Sequence, residues 1–465
     1  MTTTLASRLS EWIVGTRVED VPPTVLNKAK LHILDTLGVT LAGAADKAGQ
    51  TAIRYVDAFG GKQDCSVIGA SLKTNAPLAA LANGCLGHAV DFDDNSYSYI
   101  GHVSVSVLPA ALAMGELLNV DGLHVMGAFI IGTEVACKVG ALVTPKLYED
   151  GWHTTSVIGI FGAAAAAGKL LDLTPDQMRH ALAIAVSESS GLKGNFGTMT
   201  KPFQVGRSAE KGVMAALLAK DGLTGAPDIF EKKYGFFDTF KASAEWEGLG
   251  GKMGAPFDID RPGFYIKEFP SCSSTHPALN ALINLIQKYR VDTERIAAVE
   301  CIVTPLVETS LSYHRPKDAL QARFSMEFCL AVALANQGKV GIADFSDGRS
   351  QDDRIKGLMD KIVMRISSGS GAGKFAPADG PERAVIAVLL KDGRRYCEER
   401  AYADWRPDQM PSWEQLAQKY RGCALAVLPK DNIERSLDRL ACLEQVSSIR
   451  NVLRCLTGTQ TVIPE

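Results

Sequence analysis

The sequence predicts a mostly α-helical protein that contains one smaller α+β domain. Three observations predict this fold class. The first 250 or so residues are rich in Ala, Leu and Gly and place their apolar residues at helical spacing. Near residue 260 the pattern changes to short, β-branched segments of alternating polarity, which are typical of strands. Beyond about residue 400 the helical spacing returns, so we expect the carboxyl-terminal helices to pack back on the helical part.

A chain of 465 residues is too long for one simple core, which indicates two domains. We expect a large helical domain of residues 1–265, to which residues 400–465 return. We expect a smaller α+β domain of residues 266–399. Hydrophobic residues make up 46% of the chain and charged residues 22%, so a core of ordinary size is available.

The predicted helices of the large domain share apolar positions three and four residues apart. They cover residues 22–41, 78–91, 107–118, 156–171, 174–190 and 209–220. In the fifth of them, Thr174 and Gln177 fit a capping box, with Pro175 at the first helical position.

The smaller domain contains predicted strands and one predicted helix. The strands cover residues 297–304, 361–366 and 384–390, and the helix covers residues 324–336. The turn Lys391-Asp392-Gly393 follows the last of these strands. In the tail, helices are predicted over residues 412–421 and 432–456.

Composition argues against several classes of partner. The net charge of −3, from 49 basic and 52 acidic residues, disfavours nucleic acid or an anionic membrane as the main partner. The ten cysteines include no C-x-x-C pair, which weakens a zinc site, a redox dithiol or an iron–sulfur cluster and favours free thiols in a reducing compartment. The apolar stretches at 125–133 and 158–167 are short for a membrane span, and no signal peptide is evident. We therefore expect a cytoplasmic protein.

The first polar cluster is the string HAVDFDDNSYSYIGH, in which three aspartates occupy four positions. Like charges so close together persist where cations, hydrogen bonds or a catalytic task offset their repulsion. Three interpretations stay open: a capped loop, a catalytic site, or a divalent-metal site. The spacing matches neither an EF-hand nor H-E-x-x-H. The candidate residues of this cluster are His88, Asp91, Asp93, Asp94, Asn95 and His102.

Two further clusters precede predicted helices. His153 in GWHTTSVIGIFG either fills a core position or lies at a helix N-terminus that favours an anion. In residues 191–212, glycines surround Lys201 and Arg207 before the helix predicted at 209. No G-K-[ST] closes this segment, so it is no Walker A loop. It is either a carboxylate- or phosphate-binding loop or an ordinary loop.

The fourth cluster, IKEFPSCSSTHP at residues 266–277, places Cys272 and His276 four residues apart. A thiol protease would need a base held against a thiolate, which spacing within one loop does not show. A single loop histidine that acts as general acid or base is the favoured interpretation.

Together these clusters resemble the MmgE/PrpD family, whose members include 2-methylcitrate dehydratases, cis-aconitate decarboxylases and an iminodisuccinate epimerase. Each matching string alone is weak, but five in the right order over nearly the whole chain indicate the family. They do not indicate one substrate. The strings are DTLG from Asp35, HAVDFDDN…GH, GWH…GIFGAAAAAGKLL, NFGTMTKP…GRSAEKG and KEFPSCSSTH.

The resemblance implies a helical domain, a smaller α+β lid domain, an active site between them, a homodimer, and neither metal nor organic cofactor. It implies catalytic roles for five residues. Asp91 matches a pocket aspartate, His102 a proton-transferring histidine and Lys201 a carboxylate-binding lysine. His153 and His276 match two further pocket histidines.

Four more residues are predicted to bind substrate. Asn95 and Gln204 stand where the decarboxylases often have Thr and His. Arg207 would add positive charge, and Tyr313 is one of two positions, with Ser312, that match a pocket tyrosine.

The predicted function is dehydration, decarboxylation or epimerisation next to a carboxylate in a small di- or tricarboxylic acid, such as 2-methylcitrate, cis-aconitate or iminodisuccinate. One alternative is a non-catalytic carboxylate-binding protein on the same fold. Another is a metal-dependent hydratase, against which the cysteine spacing argues.

Overall fold

The computed structural model describes residues 4–241, 246–249, 253–367 and 382–458. The predicted domains also include residues 1–3, 242–245, 250–252, 368–381 and 459–465, which lie outside the described residues.

The amino-terminal part of the chain is helical, as predicted, apart from the short antiparallel ribbon of β1 (Cys65–Val67) and β2 (Leu72–Thr74). Its helices are α1 (Leu5–Gly15), α2 (Pro23–Ala44), α3 (Lys47–Phe59), α4 (Ala76–Ala89), α5 (Ser104–Leu118), α6 (Gly122–Ala141), α7 (Lys146–Glu149), α8 (Thr154–Leu170), α9 (Pro175–Glu188), α10 (Thr200–Lys220) and α11 (Phe236–Thr239).

Helices α4, α5, α6, α8 and α10 pack on one another in the centre of this part. Helix α8 is buried along fifteen consecutive residues, which explains why its sequence is small and apolar on every face. Where α6 and α8 meet, a Cβ added at Gly162 would lie 2.6 Å from the carbonyl oxygen of Gly132. Glycine is therefore required for this close approach of two backbones.

The second part combines helices with a four-stranded sheet of order β4-β3-β5-β6, in which β3 and β4 are parallel and the other neighbours antiparallel. Helix α12 packs on β5 and β6, and α15 packs on β4. A separate hydrophobic core runs from Phe269 to Leu390. The elements are α12 (His276–Tyr289), β3 (Ile296–Val303), α13 (Pro305–Ser310), α14 (Ala319–Ala322), α15 (Met326–Ala335), α16 (Asp347–Ser350), α17 (Asp353–Met359), β4 (Ile362–Ile366), β5 (Ala384–Leu390) and β6 (Arg395–Arg400).

The tail returns to the helical part, which confirms that element of the predicted fold class. Its helices are α18 (Trp413–Ala424), α19 (Lys430–Ala441) and α20 (Arg450–Leu453). Helix α18 packs on α2, where Lys419 Nζ lies 2.6 Å from the buried carboxylate of Asp35. Apolar residues from Leu416 to Leu456 join the core of the helical part. Whether residues 1–265 with 400–465, and residues 266–399, behave as separate folding units stays a prediction.

Several local predictions are confirmed and others are wrong. The capping box of Thr174 and Gln177 is present, and β5 has the predicted bounds. Helix α10, however, begins at Thr200 and not at 209, because Pro202 lies in its first turn, where a missing N–H costs no hydrogen bond. The tail helix predicted over 432–456 is broken after Ala441, where Cys442 has a non-helical backbone. His276 begins a helix that the sequence did not predict.

Among the described residues, one helix, α6, is long and apolar enough to cross a membrane by length and composition alone. However, 83% of its apolar window is buried inside the fold. Burial of this kind is what a central helix of a packed core requires, so the apolar character of α6 has an explanation within the fold.

Candidate active site

A cavity of about 50 Å³ lies between the helical part and the α+β part and is lined by both. From the helical part come Asn95, Tyr97, Ile100, Gly101, His102, Tyr148, His153, Thr154, Thr155, Phe196 and Lys201. From the α+β part come Cys272, Ser273, Ser274, Leu306, Ser310, Phe324 and Glu382. The cavity is therefore formed only where the two parts meet.

Asp91 anchors one wall of the site in the segment between α4 and α5. Its backbone has a φ of +51°, a left-handed conformation that aspartate tolerates better than most residues. Lys267 Nζ donates to the Asp91 carbonyl oxygen at 2.8 Å, which holds this backbone in place. The same ammonium lies 3.1 Å from Asp91 Oδ1, and Lys201 Nζ lies 2.9 Å from that oxygen.

Two buried ammonium groups thus share one buried carboxylate. Burial alone would raise the pKa of Asp91, but the charges of Lys201 and Lys267 outweigh it and hold the pKa well below its ordinary value. Burial opposes the charge of Lys267 too, yet its pKa is raised because Asp91 and Asp93 stabilise the ammonium form. The cluster of Asp91, Lys201 and Lys267 carries a net charge of +1 in these protonation states. Lys201 is the member that lines the cavity, where its ammonium lies 5.0 and 4.8 Å from the rings of Phe196 and Phe324.

Asp93 contacts two histidines through one oxygen. Its Oδ2 lies 2.8 Å from His88 Nδ1 and 2.9 Å from His102 Nδ1. With Nδ1 of His102 turned to Asp93, Nε2 is on the side of Asp91, 3.9 Å from its Oδ1. Burial alone would raise the pKa of Asp93, but the two imidazoles hold it well below its ordinary value. Burial lowers the pKa of His88 to about 4. Asp93 is thus placed to orient His102 and to stabilise a proton on its ring.

The third aspartate, Asp94, has a structural environment. Its Oδ2 contacts His32 Nδ1 at 2.7 Å and accepts a hydrogen bond from Ser104 Oγ at 2.6 Å. Each of the three aspartates therefore lies against lysine, histidine or serine side chains. These contacts offset the repulsion between the carboxylates. Two of them face the candidate site, and Asp94 fixes the segment that carries them.

His153 lies at the N-cap position of α8, as its place before a predicted helix suggested. Its Nδ1 is 2.7 Å from Gln204 Oε1, so Nδ1 carries the proton and donates to this amide oxygen. Its Nε2 is buried and has no hydrogen-bond partner among the described residues. Burial and the charge of Lys201 hold the pKa of His153 well below its ordinary value. The ring therefore presents a neutral nitrogen at the cavity.

Four of these groups also satisfy the distance requirement of a metal site. His88, Asp91, Asp93 and His102 bring ligand atoms within 4.8 Å of one another. A divalent cation here would have to share Asp91 with the two ammonium groups described above. These neighbours make the lysines the better-supported source of positive charge.

Two models of known protein domains match this chain, one in the helical part and one that begins in the α+β part. A model of the MmgE/PrpD N-terminal domain matches residues 7–249, and a model of the MmgE/PrpD C-terminal domain matches residues 269–445. The chain belongs to the MmgE/PrpD family.

Its relatives in the MmgE/PrpD family are named as lyases. Cis-aconitate decarboxylase of Homo sapiens is 28% identical over 464 residues, covering 96% of this chain and 93% of that protein. Cis-aconitate decarboxylase of Aspergillus terreus is 26% identical over 478 residues, covering 97% and 96%. A 2-methylcitrate dehydratase of Salmonella typhimurium is 26% identical over 299 residues, covering 59% of each chain. This chain is accordingly an enzyme of the MmgE/PrpD family.

Four of the nine predicted MmgE/PrpD site residues line the cavity, two contact these lining residues from behind, and three have other surroundings. Asn95, His102, His153 and Lys201 line it, Asp91 lies directly behind His102 and Lys201, and Gln204 contacts His153. Arg207 pairs with Glu210 on α10, and Tyr313 donates a hydrogen bond to the Phe196 carbonyl oxygen. His276 is buried beside Phe269, with Nε2 3.3 Å from the Ser271 carbonyl oxygen.

Sequence reasoning missed several groups of this MmgE/PrpD site. Lys267 was present in the KEFPSC string without being singled out, and its contact with Asp91 spans 176 positions of the chain. Four further cavity-lining residues were not predicted, because isolated hydroxyl groups and a single glutamate carry no distinctive spacing. They are Tyr97, Ser273, Ser274 and Glu382.

Cys272 does reach the cavity wall, but burial raises the pKa of its thiol to about 11. A thiol protease works through a thiolate, which this environment disfavours.

His276, the buried histidine that begins α12, is expected to make the free energy of unfolding depend on pH. Burial lowers the pKa of His276 to about 3, whereas in the unfolded chain a histidine takes up a proton near a pH of about 6.5. The unfolded state therefore binds more protons, so the free energy of unfolding falls as the pH is lowered from about 6.5 to 4.5. His276→Asn is expected to reduce this slope by up to about 1.4 kcal/mol per pH unit.

The slope is measured by denaturant unfolding at a series of pH values. His124→Asn, at an exposed imidazole, is the matched control and should leave more of the slope in place. Equal slopes for wild type and His276→Asn would show that the buried ring does not stay neutral in the folded protein.

Proposed function

We propose that this enzyme is a lyase that acts next to a carboxylate of a small tricarboxylic acid, by decarboxylation or by elimination of water. The observation that carries the proposal is the pairing of a cavity-lining ammonium, Lys201, with a cavity-lining imidazole, His102. Removal of CO2 or of a proton next to a carboxylate places negative charge on that part of the substrate. A fixed ammonium in a buried cavity stabilises this charge in the transition state.

Each group then has a role. Lys201 binds the substrate carboxylate, while Lys267 balances Asp91 so that this carboxylate does not repel the substrate. His102 transfers the proton at carbon through Nε2, with Asp93 stabilising its protonated form. His153 offers an unprotonated Nε2 as a second proton acceptor.

The two reactions use these groups differently. In decarboxylation the carbon–carbon bond to the carboxylate breaks, CO2 leaves with the bond electrons remaining on carbon, and the protonated His102 returns a proton there. In dehydration the neutral imidazole of His102 removes the proton from carbon and then delivers this proton to the hydroxyl group, which leaves as water when its bond to carbon breaks. Epimerisation shares the first half of the second path and returns the proton to the opposite face.

Sequence relationship supports the substrate class. The human and Aspergillus terreus cis-aconitate decarboxylases match nearly all of this chain, whereas the Salmonella typhimurium 2-methylcitrate dehydratase matches 59% of it. Cis-aconitate is therefore the first substrate to test. The proposed chemistry needs neither metal nor organic cofactor, because the lysines supply the positive charge and the histidines move the proton.

The test is incubation of purified protein with cis-aconitate, 2-methylcitrate, citrate and iminodisuccinate in D2O, followed by NMR. Loss of CO2, loss of water, and exchange with inversion at carbon give different spectra. Activity retained after dialysis against EDTA supports the proposal, and activity lost with EDTA and restored by a divalent metal supports a metal-dependent hydratase. Binding of all four compounds without reaction or exchange would indicate a carboxylate-binding protein instead.

We also propose that the protein is a homodimer, as the family resemblance implies, and that it is cytoplasmic, as its scattered cysteines favour. Light scattering on the purified protein would then give twice the 49.8 kDa of one chain.

A further inference from the structure

The cavity already contains a carboxylate that belongs to the protein. Glu382 precedes β5, lines the cavity and is only 7% exposed. Its Oε1 accepts hydrogen bonds from Ser273 Oγ at 3.0 Å and from Ser274 Oγ at 2.6 Å. Its Oε2 accepts a hydrogen bond from the hydroxyl of Tyr97.

The three donors come from both sides of the cavity. Tyr97 lies in the segment between α4 and α5 of the helical part and lines the cavity together with Asn95 and His102. Ser273 and Ser274 lie in the 3₁₀ turn that leads into α12. Within the part of the chain that the structure describes, no lysine, arginine or histidine forms an ion pair with Glu382. Among the described residues, hydroxyl groups alone therefore hold this buried carboxylate. Burial of a carboxylate is costly unless hydrogen-bond donors replace the water that it loses.

Space in the cavity is limited while Glu382 is bound. A volume of about 50 Å³ holds a few water molecules, at roughly 10–15 Å³ each. Withdrawal of Glu382 would free volume and would also remove the acceptor that the buried Ser274 hydroxyl and the half-buried Tyr97 and Ser273 hydroxyls now share.

We propose that Tyr97, Ser273 and Ser274 form a second carboxylate-binding subsite, which Glu382 occupies as an internal competitor until a substrate carboxylate displaces it. The inference rests on the proposed function, because that function supplies a ligand with more than one carboxylate. One substrate carboxylate binds Lys201, and another replaces Glu382 in the hydroxyl subsite. Glu382 then lowers the apparent affinity for every polycarboxylate, since only the fraction of protein with an empty subsite is competent to bind.

The test measures binding of propane-1,2,3-tricarboxylate, an unreactive tricarboxylate, by titration calorimetry. Glu382→Ala is expected to tighten its Kd about tenfold or more, because the competitor is absent. Glu382→Gln keeps the side-chain volume but loses the charge, so it separates competition for the hydroxyl donors from competition for space. Adding Ser273→Ala and Ser274→Ala to Glu382→Ala is expected to weaken the Kd again by about tenfold.

Propionate, which carries one carboxylate, is the matched control ligand and should respond to these variants much less than the tricarboxylate. Thermal melts establish that each variant is folded. An affinity of folded Glu382→Ala equal to or weaker than that of wild type would overturn the inference. So would an unchanged affinity after both serines are replaced.

Binding of the probe and turnover of a substrate are measured separately. Failure of the subsite can therefore be distinguished from failure of the proposed reaction. If wild type turns over a tricarboxylate but Glu382→Ala binds the probe no more tightly, only the subsite fails. If no tricarboxylate reacts but Glu382→Ala binds the probe more tightly, the subsite stands and the proposed reaction fails. If no tricarboxylate reacts and Glu382→Ala binds the probe no more tightly than wild type, both fail.

Discussion

His102→Ala is expected to lower kcat at least about 10²-fold while leaving the unfolding temperature almost unchanged, since it removes a proton-transfer group. The imidazole lines the cavity and its side chain is 15% exposed, so its loss leaves only a small void in the core. Among the described residues, His102 is the cavity-lining histidine that contacts both Asp91 and Asp93. Steady-state kinetics on the substrate identified by NMR, together with thermal melts, measure the effect.

Asp93→Asn tests the role of His102 by changing the carboxylate that contacts its imidazole. The amide keeps the contact with His102 Nδ1 but no longer stabilises a positive charge on the imidazole. We therefore expect a kcat between those of wild type and His102→Ala. His124→Ala, at the surface, serves as the control and should match wild type. Normal turnover by His102→Ala would remove this histidine from the proposed mechanism.

Lys201→Ala is expected to lower kcat/KM by about 10² to 10³, through both weaker substrate binding and slower chemistry. The ammonium would contact the substrate carboxylate in the ground state, and its effect would grow as negative charge develops next to that group. Lys267 would remain on Asp91, so the wall of the site keeps one of its two positive charges. Initial-rate kinetics separate the change in KM from the change in kcat.

Lys220→Ala provides the matched control on the same helix, because this lysine is exposed at the end of α10. It should leave both kinetic constants unchanged. If kcat/KM of Lys201→Ala equals that of wild type, another group must bind the carboxylate and the proposed role of Lys201 is wrong.

The short polar strings of the sequence led to most of the cavity wall. Asp91 and His102 stood out because three aspartates and a histidine occur together in an apolar chain. Lys201 stood out among glycines, although its segment is a helix and not the predicted loop. In contrast, nothing local marked Lys267, and its importance comes from a contact with Asp91 across 176 positions. Catalytic roles for these residues stay predictions until the variants are measured.

Closeness in the sequence also failed to predict a shared site for Cys272 and His276. Cys272 and His276 are four positions apart, but the thiol reaches the cavity while the imidazole turns to the Ser271 carbonyl oxygen. Sequence spacing places two residues on a loop or helix, but it does not determine which way each side chain points. Burial of both groups, which shifts both pKa values away from those of a reactive pair, is likewise a property of the packed fold.

The sequence by itself determined the helical character of the large part, the capping box of Thr174 and Gln177, and the bounds of β5. These features depend on residues within a few positions of one another, whose spacing and capping preferences act before any long-range contact forms. Only the tertiary structure decided which lysines neutralise Asp91 and that Glu382 accepts a hydrogen bond from Tyr97. Such pairings join chain segments more than a hundred residues apart, and the packing of the two parts, not local spacing, brings them within hydrogen-bond distance.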